Sequence, residues 1–501
     1  MSTPTLYCYN YSMNPQKVIK KHWPLLVILF TAAVLRFWRL EELTTFGGDQ
    51  GYDFLIIKAL TEGNFTLLGP KIGPYNNIGN LYLGPAYYYL LAPWLVLFKL
   101  DPVGPAVFTV LSSLATILLI YIIATKYLSK NIAILASSFY GFNALLIQQS
   151  RATSNPHLIP LFASISIFSY LKITEDKAKS YFWPLLAGVS MGIAFQLHYL
   201  AFSLLLTYAV FLFISKKLKA ISLSIISFIL CLSGEIFFEL RHDFFITNIF
   251  LAQLKSGHVF SSGETIDHIH DSLSLINSTF FLGTNPIIGL VIFALLYFAA
   301  QKKLIHNKVF QFLLVSVFIG IICVIIYPGQ AIIHYFATTY VSIILIISTV
   351  IIHNLNQKKN IPLKALAVTV MVLFFVMNIK AYNLTSKNGY TMPNGWNLRG
   401  IKLASKVVAD DVEPKKTFNI AATLDGDTRA MPYRYLLSVY GKNPLNVEQY
   451  PQANVLYLVS RDNLEEIKKY TVWEVASLWP YNIIKLAEVQ NGISVYKLTK
   501  I

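Results

Sequence analysis

Two aspartates, Asp49 and Asp53, stand four residues apart in the run FGGDQGYDF, among Gly47, Gly48 and Gly51. Glycines let a backbone bend close to a ligand, and a carboxylate held there can take a proton from a weak nucleophile such as a hydroxyl. The same spacing also suits a helix N-cap at Asp49 and a solvated first-turn acid at Asp53, and residue types alone leave both readings open. Further along come cations, imidazoles and phenols. They are Lys71 in LLGPKIGP, Arg151 and His157 in QSRATSNPHL, His198 and Tyr199 in FQLHYL, Arg241 and His242 in FELRHDF, and His334 and Tyr335 in YPGQAIIHYF. Lys71 can be a phosphate partner or an ordinary surface lysine. Taken singly, each also reads as a surface group or an anchor snorkelling to a headgroup. No P-loop, no GxGxxG set between strand and helix, and no HExxH accompanies them.

The elements that must position these residues are apolar. Of 501 residues, 55% are hydrophobic and only 13% charged, with a mean hydropathy of +0.54. Soluble domains carry about 25% charged residues. The apolar residues fall in blocks of roughly 16–22, the length that spans a bilayer as a helix. The net charge of +16 invites a nucleic-acid reading, which the placement of the lysines rejects. The lysines form neither stripe nor tail, but short clusters between apolar blocks, as in cytoplasmic loops of membrane proteins. Cys8, Cys231 and Cys323 show no disulfide or metal spacing. Lys17, Lys20 and Lys21 precede the run Trp23–Trp38 with no small-residue cleavage site after it, which predicts an uncleaved first span.

Keeping every lysine cluster cytoplasmic predicts eleven crossings: 23–38, 104–125, 131–148, 157–171, 182–197, 200–214, 220–238, 285–300, 309–327, 332–352 and 362–380. The membrane domain is then 1–380, with an outer loop at 39–103. Within that loop Tyr82–Leu100 is apolar but carries Pro85 and Pro93, and a crossing there would expel Lys126 and Lys130 from the cytoplasm. It is expected to lie along the outer surface, with its tyrosines half wet. An odd number of crossings puts the tail, 381–501, outside the cytoplasm as a soluble α/β domain with strands near 454–460 and 493–498. The acidic stretch, the cations and the histidines then share the extracytoplasmic side of a multi-pass protein in the cell (inner) membrane. A cationic, histidine-rich rim beneath an acidic loop suits an anionic lipid headgroup.

The runs FGGDQGYD, GNLYLGPAYYYLLAPWLVLFKLDPVG, QQSRATSNPHLIPLF, FQLHY and FELRH together resemble bacterial and archaeal relatives of the protein O-mannosyltransferases. These are integral-membrane glycosyltransferases of the GT-C type, with the lipid A aminoarabinose transferases as cousins. The resemblance covers roughly Trp23–Ile352. It implies a polytopic α-helical GT-C fold and transfer of a sugar from a polyprenyl phosphate carrier, undecaprenyl or dolichyl, to a hydroxyl on a protein, lipid or glycan. It also implies a catalytic carboxylate just after the first span, which Asp49 matches, and an arginine at the outer end of the third span, which Arg151 matches. The family's amphipathic outer helix matches Tyr82–Pro93. Where the family often has an Asp-Glu pair this chain has Asp49-Gln50, which puts in doubt any role needing the second acid. In such a site Asp49 accepts the acceptor's proton during a single inverting displacement. Arg151, Arg241 and Lys71 face the leaving phosphate, with His157, His242 and His334 as weaker partners. The resemblance names no definite cofactor; a divalent metal at Asp49 is compatible with it, without a readable ligand set. Two other readings share the topology: a flippase of lipid-linked glycans, which expects charges near the midplane and inverted repeats, and an oligosaccharide ligase using a lipid diphosphate.

Overall fold

The structure, a computed structural model, describes residues 15–72, 81–175, 180–256, 262–280, 286–327, 330–357, 359–414, 416–424 and 426–501. Lys177, Lys179 and Lys358, members of the lysine clusters between apolar blocks, lie outside the described residues, as does the stretch before Pro15.

All eleven apolar segments are helical, and the chain is a multi-pass membrane protein. Four described helices are long and apolar enough to cross a bilayer unaided: Val103–Tyr127, Asn155–Glu175, Lys308–Ile326 and Ile361–Lys380. Others are shorter, such as Phe182–Leu197 and Tyr340–Leu355. Two expected straight spans, 131–148 and 220–238, are broken. Lys130–Phe142 meets Ala144–Arg151 at 57°, and Leu218–Cys231 meets Ser233–Arg241 at 59°. The first break has a side-chain cause. Asn143 is extended (φ −71°, ψ 123°), and its Oδ1 accepts from Leu146 N at 3.0 Å, which starts a new helix. The second legs of both pairs are polar and carry Arg151, Glu235 and Glu239. The segment expected at 332–352 begins as a short 3-10 turn, Ile333–Phe336, before the regular helix Tyr340–Leu355.

The first helix, Pro15–Phe37, contains the fully buried Arg36. A cation inside an apolar layer must be surrounded by acceptors. Here its guanidinium donates to Ser113 Oγ at 3.0 Å and to Gly141 O at 2.8 Å.

After this helix the chain builds the loop before the next long apolar helix from three pieces. The helix Gly48–Thr61 carries both aspartates. A two-stranded antiparallel ribbon follows, β1 (Lys71–Ile72) and β2 (Leu81–Tyr82). Then comes the helix Ala86–Leu97. At 12 residues that helix is about 18 Å long, too short for a hydrocarbon core of about 30 Å. Its tyrosines depart from the expectation of half-wet rings. Tyr87 and Tyr88 are buried in the core beside Leu91 and Leu95, and only Tyr89 is exposed.

Beyond the last apolar helix the tail folds around one sheet of four strands: β3 (Phe418–Ala422), β4 (Val455–Ser460), β5 (Tyr481–Gln490) and β6 (Ile493–Lys500), in the order β3-β4-β6-β5. β3 and β4 run parallel, and the other neighbours are antiparallel. The fully buried β3 and β4 are near-continuous apolar runs, as strands covered on both faces must be. The helix Met431–Val439 docks this unit onto the aspartate helix. A Cβ on Gly51 would stand 2.3 Å from Pro432 N and 2.4 Å from Met431 C, so the approach requires glycine. Lys402 adds ion pairs to Glu41 and Asp101, both at 2.7 Å. Tyr435 Oη donates to Leu100 O at 2.7 Å.

Candidate active site

The aspartate helix starts at Gly48, with Gly47 N donating to Gln50 Oε1 at 3.0 Å across the first turn. Asp49 and Asp53 lie on one face, four residues apart, yet their surroundings differ. Asp49 is exposed; Asp53 is 8% exposed. Tyr88 Oη donates to Asp53 Oδ1 at 2.8 Å. Burial pushes the Asp53 carboxyl up to about 8, with Tyr88 opposing the rise and Asp49 adding to it. Both aspartates line a cavity of about 1510 Å³. Single small-ligand pockets span roughly 300–1,000 Å³, so this one has room for two substrates.

Two Gly-Pro steps shape its rim. Gly69 N donates to Leu83 O at 2.8 Å, and Leu83 N donates to Pro70 O at 2.9 Å. A Cβ on Gly69 would lie 1.9 Å from Gly84 O. The two glycines therefore let the ribbon cross itself and bring Lys71 to the cavity wall.

Of the eleven residues singled out in the sequence, seven line this cavity: Asp49, Asp53, Lys71, His198, Tyr199, His334 and Tyr335. His198 stands between two helices, its ring 4.9 Å from that of Tyr335 and 6.1 Å from that of His334. Tyr199 Oη donates to Tyr82 O and ties this turn to the ribbon. Burial lowers His198 to about 4. Burial, reinforced by His157 and His198, lowers His334 to about 3. Desolvation keeps these two imidazoles neutral at pH 7, so they offer N–H groups rather than charge.

Four residues do not line the cavity. Arg151 is buried, and its Nε donates to Arg36 O at 3.3 Å while a terminal nitrogen donates to Leu35 O. Its cation satisfies the last carbonyls of the first helix. His157 Nδ1 pairs with Ala152 O at 2.7 Å. Arg241 and His242 are exposed at the end of their helix, with His242 Nδ1 at 2.8 Å from Phe238 O.

Further residues line the cavity. Arg429 comes from the tail domain, paired with Asp427 through Nε at 2.7 Å and a second nitrogen at 2.9 Å. Asp427 Oδ2 lies 2.6 Å from where a Cβ on Gly48 would stand, so this pair sits over the start of the aspartate helix. Glu235 and Glu239 come from the second leg of the broken seventh span. Among the described residues no three His, Cys, Asp or Glu side chains are grouped to hold a metal ion, so Asp49 stands in no such ligand set. The cavity therefore offers one exposed carboxylate, cations from two different parts of the chain, and neutral imidazoles.

Residues 83–237 match the family of dolichyl-phosphate-mannose-protein mannosyltransferases. No curated protein sequence matches the chain. Solved structures do. ArnT from Cupriavidus metallidurans bound to undecaprenyl phosphate is 12% identical, with a TM-score of 0.60 over 96% of this chain and 98% of that one. The archaeal oligosaccharyltransferase AglB from Archaeoglobus fulgidus, in complex with an inhibitory peptide and a dolichol-phosphate, is 13% identical, with a TM-score of 0.52 over 93% of this chain and 73% of that one. The arabinofuranosyltransferase AftD from Mycobacteria is 12% identical, with a TM-score of 0.52 over 95% of this chain and 40% of that one. The chain thus matches the mannosyltransferase family across residues 83–237 and has, over nearly its whole length, the fold of the GT-C membrane glycosyltransferases.

Proposed function

We propose that the chain is an integral-membrane glycosyltransferase that moves a sugar from a polyprenyl-phosphate carrier to an acceptor hydroxyl on the extracytoplasmic face. The observation that carries this reading is the contrast between the two aspartates of one helix. Asp53 is buried and bonded to Tyr88, whereas Asp49 faces a cavity roomy enough for donor and acceptor together. The undecaprenyl phosphate of ArnT and the dolichol-phosphate of AglB support the carrier class.

Asp49 receives the acceptor's hydroxyl proton while the hydroxyl oxygen attacks the anomeric carbon. The bond from that carbon to the carrier's phosphate oxygen breaks, and the phosphate leaves with the electron pair. Lys71 and Arg429 are the cavity-lining cations available to that developing charge. His198 and His334, held neutral, donate N–H bonds to it. One displacement of this kind inverts the anomeric configuration.

The test is transfer from radiolabelled undecaprenyl-phosphate sugars in membranes containing the full chain. Asp49→Asn is expected to lower transfer about 10²- to 10⁴-fold while the variant still binds undecaprenyl phosphate. Undiminished transfer defeats the assignment of Asp49. Consumption of a lipid diphosphate sugar instead of the monophosphate makes the enzyme a ligase, and labelled lipid crossing the bilayer without a covalent product makes it a flippase.

A further inference from the structure

The second leg of the broken span, Ser233–Arg241, shows two glutamates one turn apart to the cavity. Glu239 is fully engaged. Its Oε1 accepts from Ile246 N at 2.8 Å, and its Oε2 accepts from Thr247 N at 2.9 Å and from Thr247 Oγ1 at 2.5 Å. Both oxygens serve the first turn of the helix Phe245–Ser256.

Glu235 differs. Its Oε2 is buried, and no hydrogen-bond donor among the described residues reaches it. Its neighbour Gln196 is already committed: Oε1 accepts from Ala86 N at 3.0 Å, and Nε2 donates to Cys231 O at 2.8 Å. The chain also makes room for the carboxylate. A Cβ on Gly84 would stand 2.5 Å from Glu235 Oε1 and 2.4 Å from Gln196 Cγ. A buried acceptor without a donor costs free energy and asks for an explanation. Position supplies one, because the Glu235 side chain as a whole is only partly buried and lines the same cavity as Asp49, so its carboxyl stands at the edge of the space a ligand would fill. Phe195 and Tyr199, with ring centroids 5.1 Å apart, line it too. A carboxylate acceptor beside aromatic faces matches a pyranose or furanose ring, whose hydroxyls donate and whose C–H faces are apolar.

We propose that Glu235 binds the sugar of the lipid-linked donor by accepting ring hydroxyl hydrogens. This rests on the glycosyltransferase reading above. Glu235 is a specificity residue here; Asp49 retains the chemistry.

The test titrates the full chain in detergent with undecaprenyl-phosphate-mannose and with bare undecaprenyl phosphate. Wild type is expected to favour the mannosylated carrier. Glu235→Leu is expected to lose about tenfold in affinity for it, to keep its affinity for the bare carrier, and to show an undiminished Tm, because an unpaired buried acceptor has been removed. A merely structural role predicts a lower Tm and equal losses for both lipids. Should Glu235→Leu fail to fold, Glu235→Gln carries the same comparison. The proposal is overturned if wild type binds both carriers alike, if the variant keeps the preference, or if both affinities fall together. Binding of neither carrier by wild type defeats the glycosyltransferase reading itself.

Discussion

Tyr88 Oη hands a hydrogen bond to Asp53 Oδ1 across 2.8 Å, joining the aspartate helix to the helix Ala86–Leu97. The pair explains why two acids on one helix face have different chemistry. Burial disfavours the charged form of Asp53, and the phenol only partly compensates, so the carboxyl holds its proton until about pH 8. Asp49, one turn earlier, looks into the cavity without such cover.

A pH dependence of stability follows. An unfolded aspartate releases its proton near 3.8, the folded Asp53 near 8. Between those values the folded protein holds a proton that the unfolded chain lacks, so stability falls as pH rises through this window and levels off above it. Asp53→Asn imitates the protonated carboxyl and removes the dependence. Measured by thermal unfolding in detergent, its Tm advantage over wild type is expected to grow from nothing near pH 4 to a few degrees at pH 8.5. Parallel pH profiles for the two proteins contradict the burial of Asp53.

Docking of the tail domain is tested at one glycine. In Gly51→Ala the new methyl meets Pro432 N and the Met431 carbonyl carbon, both main-chain atoms of the docking helix. Main chain cannot rotate aside as a side chain can, so the helix must shift, at an expected cost of about 1–3 kcal/mol. Limited proteolysis is expected to release the tail faster from this variant, and transfer is expected to drop because Arg429 moves with the helix. An unchanged cleavage rate rules out the docking seen here.

The apolar architecture was legible because bilayer-length runs of Leu, Ile, Val and Phe carry a strong signal. The breaks within it were not. Asn143 is an N-cap hidden inside an apolar block, and the break at Leu232 has no side-chain cap at all. The sequence also pointed to Asp49, Lys71, His198 and His334, since polar residues at the ends of apolar blocks stand out. It gave no hint of Arg429, which enters the cavity only because distant parts of the chain dock through Gly51. Nor did it show Glu235, whose neighbours in sequence are apolar and whose meaning lies in its contact with Gly84. The histidines were seen, but not their charge state, which burial decides.

Arg429 offers a third prediction. It brings a guanidinium from the tail domain to the wall that carries Asp49, oriented by a two-point pair with Asp427. If the tail contributes to phosphate binding, Arg429→Ala is expected to raise the KM for undecaprenyl-phosphate sugar about tenfold. Asp427→Ala, which leaves the cation but frees its orientation, is expected to have a smaller effect. Unchanged KM in both variants removes the tail from the donor site and leaves Lys71 as the cation there.

Arg151 separates a phosphate ligand from a structural cation. The family resemblance implied the first; the structure gives it the carbonyls of Leu35 and Arg36, while Thr44 Oγ1 donates to the carbonyl of Arg151 at 2.5 Å. It thereby fixes the end of the first helix, from which the aspartate loop departs. Arg151→Lys keeps the charge but loses the planar fork that reaches two carbonyls at once. Leaving buried acceptors unpaired costs about 1–3 kcal/mol, so the variant is expected to lose Tm and folded yield. The fraction that does fold is expected to bind undecaprenyl phosphate as wild type does. A stable variant with a raised Kd for the carrier points the other way, to a guanidinium that turns into the cavity when the phosphate arrives.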